Sequence, residues 1–242
     1  MARYRDVHVS FGPPLTWAVR QIIIVTSVIF LLTYLPLVIF HWQWPFEWFG
    51  LRPFDVTHRF FFWQPVTYLF LHGGFFHILF NLFALWMFGA DLERMWGPRR
   101  FLTYFFLTGI GAAVFDVLLQ PSMIVPTIGN SGAVYGVLLA FGLLFPERPI
   151  YLWLLIPVKA KWFVLVMGLI EFVSSFSNPG STVSHVAHLG GMLVGFLYLR
   201  GGGIPYRVLL HYHEWRRARL RRKFDVYMHD HERKDDAGRW IN

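Results

Sequence analysis

The stretch QIIIVTSVIFLLTYLPLVIF, residues 21–40, contains no charged side chain. A helix needs about 20 mostly apolar residues to cross a hydrocarbon core about 30 Å thick, so this stretch predicts a membrane-spanning helix. Five further apolar stretches carry at most two acidic, basic or histidine side chains each: 74–90, 101–120, 131–145, 162–178 and 184–199. The sequence therefore predicts six spans. Residues 150–158 are too short to cross and are expected at the membrane interface.

The composition supports a membrane protein. Of the 242 residues, 55% are hydrophobic and 15% are charged, and there is no cysteine. A disordered chain needs low hydrophobicity and high charge, so that class is excluded. The lack of cysteine excludes a disulfide scaffold and a thiolate metal site. The predicted fold class is an all-α polytopic membrane protein.

The basic residues predict the orientation of this chain. With six spans, 20 of the 22 Lys and Arg residues fall on the side of the two termini, and only Arg52 and Arg59 fall on the other. Cytoplasmic loops carry an excess of Lys and Arg. Both termini are therefore expected in the cytoplasm, with loops 41–73, 121–130 and 179–183 outside. The long loop 41–73 is aromatic and broken by prolines, and is expected to lie partly in the outer leaflet.

The predicted organisation has three parts. Residues 1–16 form a short cytoplasmic N-terminal tail, and 17–200 form the six-helix membrane domain. Residues 201–242 are a basic cytoplasmic tail, expected to form an amphipathic helix on an anionic lipid surface. Charge alone permits nucleic-acid binding, but a basic segment next to a span is more often a topology and lipid signal, so no nucleic-acid partner is expected.

Polar residues inside the spans are few and lie at one predicted depth. Ionisable side chains in a membrane are costly and mark functional sites. His77 and Asn81 follow the outer end of span two by about one and two turns, at about 5.4 Å per turn. Ser131 opens span four, and His188 lies about one turn into span six. Four polar groups on three spans thus fall near the outer face.

Small residues predict which spans touch. In lipid, close helix contact depends on small side chains. Span four has Gly132 and Gly136, and span six has a ladder of Ala187, Gly191 and Gly195. These ladders are expected to bring spans four and six together, and a Ser131 hydroxyl could then reach the His188 imidazole.

The chemistry that suits these groups is acyl transfer. A serine hydroxyl becomes a nucleophile when a base takes its proton, and His188 could be that base. The tetrahedral oxyanion needs donors, which His77, Asn81 and the Ser131 amide could supply. Gly129 and Gly132 permit the tight turn that exposes Ser131. No Asp or Glu is expected beside His188, so the prediction is a dyad rather than a triad. Asp116 and Glu171 receive no role.

Other interpretations remain open. Ser131 alone would be an ordinary helix N-cap. His185 and His188 are spaced like a metal pair, but the H-E-x-x-H pattern of zinc proteases is absent, so no metal is expected. A transporter would spread polar groups along a path through the membrane. A catalytically inactive protein that binds membrane helices should lack Ser131 or His188, and both are present.

At these residues the sequence resembles the rhomboid family of intramembrane serine proteases. The matching pieces are His77-xxx-Asn81, Gly129-Asn130-Ser131-Gly132 for the family's G-x-S-G, and Ala187-His188-Leu189-Gly190-Gly191. Supporting pieces are the run from His72 to His77, Glu93-xxx-Gly97, and PVKAKW before span five. Two positions depart from the common pattern: Asn130 within G-x-S-G, and Gln64 after Trp63, where many bacterial relatives have arginine.

The resemblance implies a six-helix rhomboid-like bundle and a serine endopeptidase with a Ser131–His188 dyad. It implies an oxyanion hole from His77, Asn81 and the Ser131 amide, and stacking of Tyr135 on His188. Span five would gate the access of substrates, which would be transmembrane proteins. No cofactor or metal is implied. The expected location is a bacterial cell membrane, with the active site towards its outer face.

Overall fold

The computed structural model describes residues 13–152, 155–177, 184–201 and 221. The described chain is mainly helical. Its helices are α1 (Trp17–Phe40), α2 (Trp44–Phe49), α3 (Pro53–His58), α4 (Gln64–Thr67), α5 (Phe75–Ala84), α6 (Ala90–Trp96), α7 (Pro98–Leu119), α8 (Ser131–Leu144), α9 (Ala160–Ser177) and α10 (His185–Arg200). A 3-10 turn (Tyr68–Phe70) follows α4, and a π-helical turn (Leu85–Gly89) joins α5 to α6. The two strands are β1 (Pro149–Leu152) and β2 (Ile156–Lys159).

Four described helical segments are long and apolar enough to cross a membrane: α1, the continuous helix Phe75–Trp96, α7 and α9. They coincide with four of the predicted spans. The other two predicted spans correspond to α8 and α10, which have 14 and 16 residues and are shorter than a full crossing requires. The six-span count thus stays a prediction, whereas the helical membrane architecture is confirmed.

Helices α1 and α9 expose many apolar side chains, as helices in contact with lipid do. Only five of the 24 residues of α1 are buried, and only three of the 18 residues of α9. Leu32 and Phe176 are 69% and 74% exposed. Apolar surface of this extent marks an interaction with a membrane or a partner rather than with water. Together with the length of the helices, it identifies an integral membrane protein.

Three helices form the core around which the others pack: α7, α8 and α10. Nine of the 14 residues of α8 are buried, so its surroundings are protein rather than lipid. Helix α7 begins at Pro98, whose fixed φ suits the first turn of a helix and whose missing N–H is not needed there. These described helices belong to one compact unit that ends at Gly201. The predicted amphipathic helix in 201–242 lies outside the described residues, apart from Gly201 and Arg221.

The aromatic segment 41–73 is folded into short helices rather than broken by its prolines. Pro45, Pro53 and Pro65 each stand in the first turn of α2, α3 or α4. The buried Gln64 holds the segment together, because its Oε1 accepts a hydrogen bond from the Arg52 amide at 3.0 Å, and its Nε2 lies 3.4 Å from the Trp48 carbonyl. The glutamine thus has a structural role in this loop.

Strands β1 and β2 form an antiparallel pair, with Ile150 opposite Val158, which the sequence pattern did not predict. Glu147 stands before it and lies 2.8 Å from Lys159, with Lys161 also in contact. The two ammonium groups lower the pKa of the exposed Glu147 carboxyl to about 2. Lys159 at the end of β2 and Lys161 at the start of α9 are therefore tied to Glu147, which lies shortly after α8.

The loops fall into two sets at opposite ends of the bundle. At one end, Arg148 after α8 forms an ion pair with Asp91 of α6. At the other end, Leu51 and Thr127 exchange two backbone hydrogen bonds of 2.8 and 2.9 Å. These contacts agree with the predicted grouping of loops, since 41–73 and 121–130 meet at one end.

Candidate active site

Ser131 is the first residue of α8 and follows a turn that requires glycine. Gly129 has a φ of +109°, a left-handed conformation that L side chains rarely adopt. A Cβ at Gly129 would lie 2.7 Å from His77 Nε2, so a side chain there would also collide with that ring. The Gly129 amide donates to the Tyr68 carbonyl at 2.9 Å. The turn places Ser131 beside α5 at the start of a buried helix.

His188 is positioned by the N-terminus of α10. Ser184 caps this helix, since its Oγ accepts a hydrogen bond from the Ala187 amide at 3.1 Å. The same hydroxyl donates to Asp116 Oδ1 at 2.6 Å, and Asp116 Oδ2 accepts from Thr127 at 2.8 Å. The buried Asp116 on α7 therefore ties the start of α10 to the loop before α8, a role that sequence reasoning did not assign.

The structure brings Ser131 and His188 into contact. The distance from Ser131 Oγ to His188 Nε2 is 2.7 Å. The Tyr135 ring, one turn after Ser131, stacks on the His188 ring with 4.4 Å between centroids and 17° between planes. His188 is 7% exposed, so the imidazole is held in a partly dry setting. This arrangement can transfer a proton from the hydroxyl to the ring.

Close backbone packing makes this contact possible. A Cβ at Gly191 would lie 2.0 Å from the Gly132 carbonyl oxygen, so α10 and α8 touch backbone to backbone there. The other two glycines of the predicted ladders, Gly136 and Gly195, contact a different helix from the one predicted. A Cβ at Gly136 would meet Thr108, and one at Gly195 would meet the Tyr104 hydroxyl, both on α7. The expected ladder between spans four and six is therefore wrong at these two positions, because Gly136 and Gly195 both face α7.

His77 and Asn81 lie on the α5 side of the site. His77 Nε2 adjoins Gly129, two residues before Ser131. Asn81 is buried, and its Nδ2 donates one hydrogen bond to the His77 carbonyl at 2.8 Å, which leaves the second amide hydrogen for another acceptor. His72, in the loop before α5, lies edge-on to His77 with centroids 4.9 Å apart. Burial lowers the pKa of His72 to about 3, so its ring is neutral at pH 7.

A carboxylate stands beside His188, and the expectation that none would do so is wrong. Glu171 of α9 has an oxygen, Oε2, 3.0 Å from His188 Nδ1. His188 Nδ1 makes no hydrogen bond to that oxygen, so the pair is a close contact of an imidazole with a carboxylate. Glu171 Oε2 also lies 2.6 Å from His185 Nδ1, and Oε1 accepts a hydrogen bond from the Tyr135 hydroxyl.

Glu171, His185 and His188 together offer three possible metal ligands whose donor atoms lie within 4.8 Å of one another. Glu171 and His185 have the spacing of a hydrogen-bonded pair. Tetrahedral zinc with bonds of about 2.0–2.1 Å keeps its ligand atoms roughly 3.3 Å apart, whereas the Glu171 and His185 atoms are 2.6 Å apart. This separation is too short for two ligands of one zinc ion, so the three side chains do not fit a metal without rearrangement.

The chain is similar to known proteins. The chain matches the Rhomboid domain over residues 59–202, which include all the site residues described above. It is 27% identical over 164 residues to Rhomboid protein 1, mitochondrial, of Saccharomyces cerevisiae, covering 65% of this chain and 47% of that protein. It is 31% identical over 148 residues to Rhomboid protease GluP of Bacillus subtilis, covering 59% and 26%. It is 34% identical over 136 residues to Rhomboid-like protease 5 of Toxoplasma gondii, covering 54% and 15%.

A domain of helices that carries these three motifs, matched over more than half of the chain, defines the class of protein. The chain belongs to the rhomboid family. It spans less than half the length of each of these three relatives. Since one of them is mitochondrial and another is bacterial, the placement of this chain in a bacterial cell membrane remains a prediction.

Proposed function

We propose that this protein is an intramembrane serine endopeptidase that hydrolyses peptide bonds in or next to transmembrane segments of other membrane proteins. The observation that carries the proposal is the 2.7 Å distance between Ser131 Oγ and His188 Nε2 at the start of a buried helix. The names of the relatives, several of them proteases, support the same activity. Residues 17–200 would form the six-helix catalytic domain.

The reaction follows from the positions of these groups. His188 Nε2 takes the hydroxyl proton as Ser131 Oγ attacks the scissile carbonyl carbon. The negative charge that forms on the carbonyl oxygen is stabilised by His77, Asn81 and the Ser131 amide, the oxyanion hole of this proposal. The C–N bond then breaks, and His188 returns the proton to the leaving amine. Water, activated by the same imidazole, hydrolyses the acyl-enzyme.

A second function is an inactive rhomboid protein that binds membrane helices. A binding protein has no need of a serine hydroxyl that contacts an imidazole, or of a tyrosine ring that fixes that imidazole. The geometry therefore favours the protease. In a transporter, polar side chains would line a path through the bundle, whereas the site groups described above lie near one end of α5, α8 and α10.

The test compares purified protein with Ser131→Ala and His188→Ala variants on a reporter substrate that has one transmembrane segment. Each substitution should abolish cleavage, and the double variant should be no worse than either single variant, because residues that act as a unit give non-additive losses. A serine-reactive fluorophosphonate should label the wild type but not Ser131→Ala.

The matched control is Ser122→Ala, the same change at an exposed loop position. It should keep full cleavage and labelling. Appreciable turnover by Ser131→Ala, in a preparation free of host proteases, would refute the assignment of the nucleophile. Labelling of neither the wild type nor the control would favour the inactive binding protein.

A further inference from the structure

We propose that Glu171 is a positioning residue for His188, so that the site is a Ser-His-Glu triad. This inference rests on the proposed protease function and extends it to a third helix, α9. The primary observation is the 3.0 Å distance between Glu171 Oε2 and His188 Nδ1, on the side of the ring opposite to Ser131.

The position of the carboxylate selects the useful form of the imidazole. A neutral histidine carries its proton on one ring nitrogen, and the partner of each nitrogen decides which. A carboxylate beside Nδ1 favours a proton there. Nε2 is then the acceptor, which is what the removal of the Ser131 proton requires. Without Glu171, the opposite tautomer would present an N–H to the serine oxygen and could not act as a base.

The carboxylate also stabilises charge. When the Ser131 O–H bond breaks and the Nε2–H bond forms, the ring becomes a cation while Glu171 remains an anion. The side chains of Glu171 and His188 are 7% and 9% exposed, so their attraction is screened less than it would be in water. The proton leaves Nε2 for the amine product, and at no point does Glu171 need to accept it.

Glu171 is itself held in place, as a positioning residue must be. Its Oε1 accepts a hydrogen bond from the Tyr135 hydroxyl, and its Oε2 lies 2.6 Å from His185 Nδ1. Tyr135 therefore supports the catalytic ring twice, by stacking on His188 and by fixing the carboxylate beside it. Side chains of α8 and α10 therefore hold the buried carboxylate of α9 beside the His188 ring.

The experiment replaces Glu171 with its neutral isostere. Glu171→Gln keeps the size of the side chain and one acceptor oxygen but removes the charge. We expect kcat to fall between about 10-fold and about 10⁴-fold, the upper value being the loss in a soluble Ser-His-Asp triad with the equivalent change. KM should stay within about twofold, since substrate binding is not involved. The rate of fluorophosphonate labelling of Ser131 should fall by a similar factor to kcat.

Two further variants separate positioning from structure. Glu171→Asp keeps the charge and should recover part of the lost kcat. Glu47→Gln, the same chemical change on an exposed side chain of α2, should match the wild type. Thermal unfolding of Glu171→Gln in detergent should lie close to that of the wild type, because the proposed role is to position His188 and not to stabilise the fold.

Other results would overturn the inference. An unchanged kcat in Glu171→Gln would do so, as would a joint loss of kcat, substrate binding and thermal stability that Glu171→Asp does not relieve. Zinc-dependent recovery of activity after chelation would make the three-residue cluster a metal site instead. If the wild type neither cleaves nor labels while folded, the proposed function itself fails, and the triad fails with it.

Discussion

Among the proposed oxyanion-hole donors, Asn81 is the one whose contribution we expect to depend most on the transition state. One of its amide hydrogens is already bound to the His77 carbonyl, so only the second is free to meet an oxyanion. Such a bond forms mainly as charge develops on the substrate oxygen. Asn81→Ala should therefore lower kcat by about 10²–10³-fold, with a much smaller change in KM. Steady-state kinetics on the reporter substrate measure both quantities.

Phe80→Leu is the control for this variant, because Phe80 precedes Asn81 on α5 and its side chain is 66% exposed. It should leave kcat within about twofold of the wild type, as surface substitutions away from buried features have small effects. An Asn81→Ala protein with normal kcat and a raised KM would show that Asn81 binds substrate in the ground state.

The sequence predicts some contacts of the site and misses others. The contact between Ser131 and His188 was predicted from the spacing of motifs and from depth, and the 2.7 Å distance agrees with it. Glu171 was given no role, although the same reasoning about depth could have found it. It lies six residues before the end of α9, near the end of the bundle where His188 lies. The sequence does not say which face of α9 turns inward, and that decides whether Glu171 meets His188 or lipid.

At the level of elements, the contact between α8 and α10 depends on the absence of a side chain at Gly191. A methyl group there would lie 2.0 Å from the Gly132 carbonyl oxygen, which belongs to the backbone and cannot rotate away. Gly191→Ala should thus destabilise the bundle by about 1–3 kcal/mol, the usual effect of overpacking, and lower activity with it. Thermal unfolding in detergent and cleavage rates test both effects.

Gly168→Ala provides the same chemical change in a permissive position of α9. Its added methyl group would lie 3.2 Å from the terminal carbon of Met192, which is flexible. Alanine is the better helix former by roughly 1 kcal/mol, so this variant should be as stable as the wild type or more so. Equal stability of Gly191→Ala and the wild type would mean that α8 and α10 do not touch at this point.

Elements built from apolar runs were predicted better than elements built from turns. Residues 21–40 lie within α1, and 162–178 nearly coincide with α9, because hydrophobic length is a local property of the sequence. The prolines of 41–73 were interpreted as breaks but begin short helices. Gly195 was assigned to the wrong neighbour, since a small residue signals a close approach without naming the helix that approaches.

At the scale of the whole molecule, the loops separate into two sets by their contacts. Arg148 pairs with Asp91 at one end, while Leu51 bonds to Thr127 at the other. Under the six-span prediction, the basic residues of the sequence divide 20 against 2 between the two predicted sides of the membrane. With an odd number of spans, the basic N-terminal and C-terminal segments would lie on opposite sides of the membrane. The charge pattern therefore favours an even number of spans, with both termini in the cytoplasm.

Because the chain has no cysteine, single cysteines report this orientation without background. Ser122→Cys and Ser181→Cys should react with an impermeant maleimide added to intact cells, since both positions fall in loops predicted to lie outside. Ser10→Cys and Ala237→Cys should react only after the membrane is opened. Cleavage by each variant provides the control for folding, because none of the four positions belongs to the site. Labelling of Ala237→Cys but not Ser122→Cys in intact cells would invert the orientation and turn Ser131 towards the cytoplasm. Labelling of Ser122→Cys and Ser181→Cys from opposite sides would contradict the six-span count, because an even number of crossings must separate two outside loops.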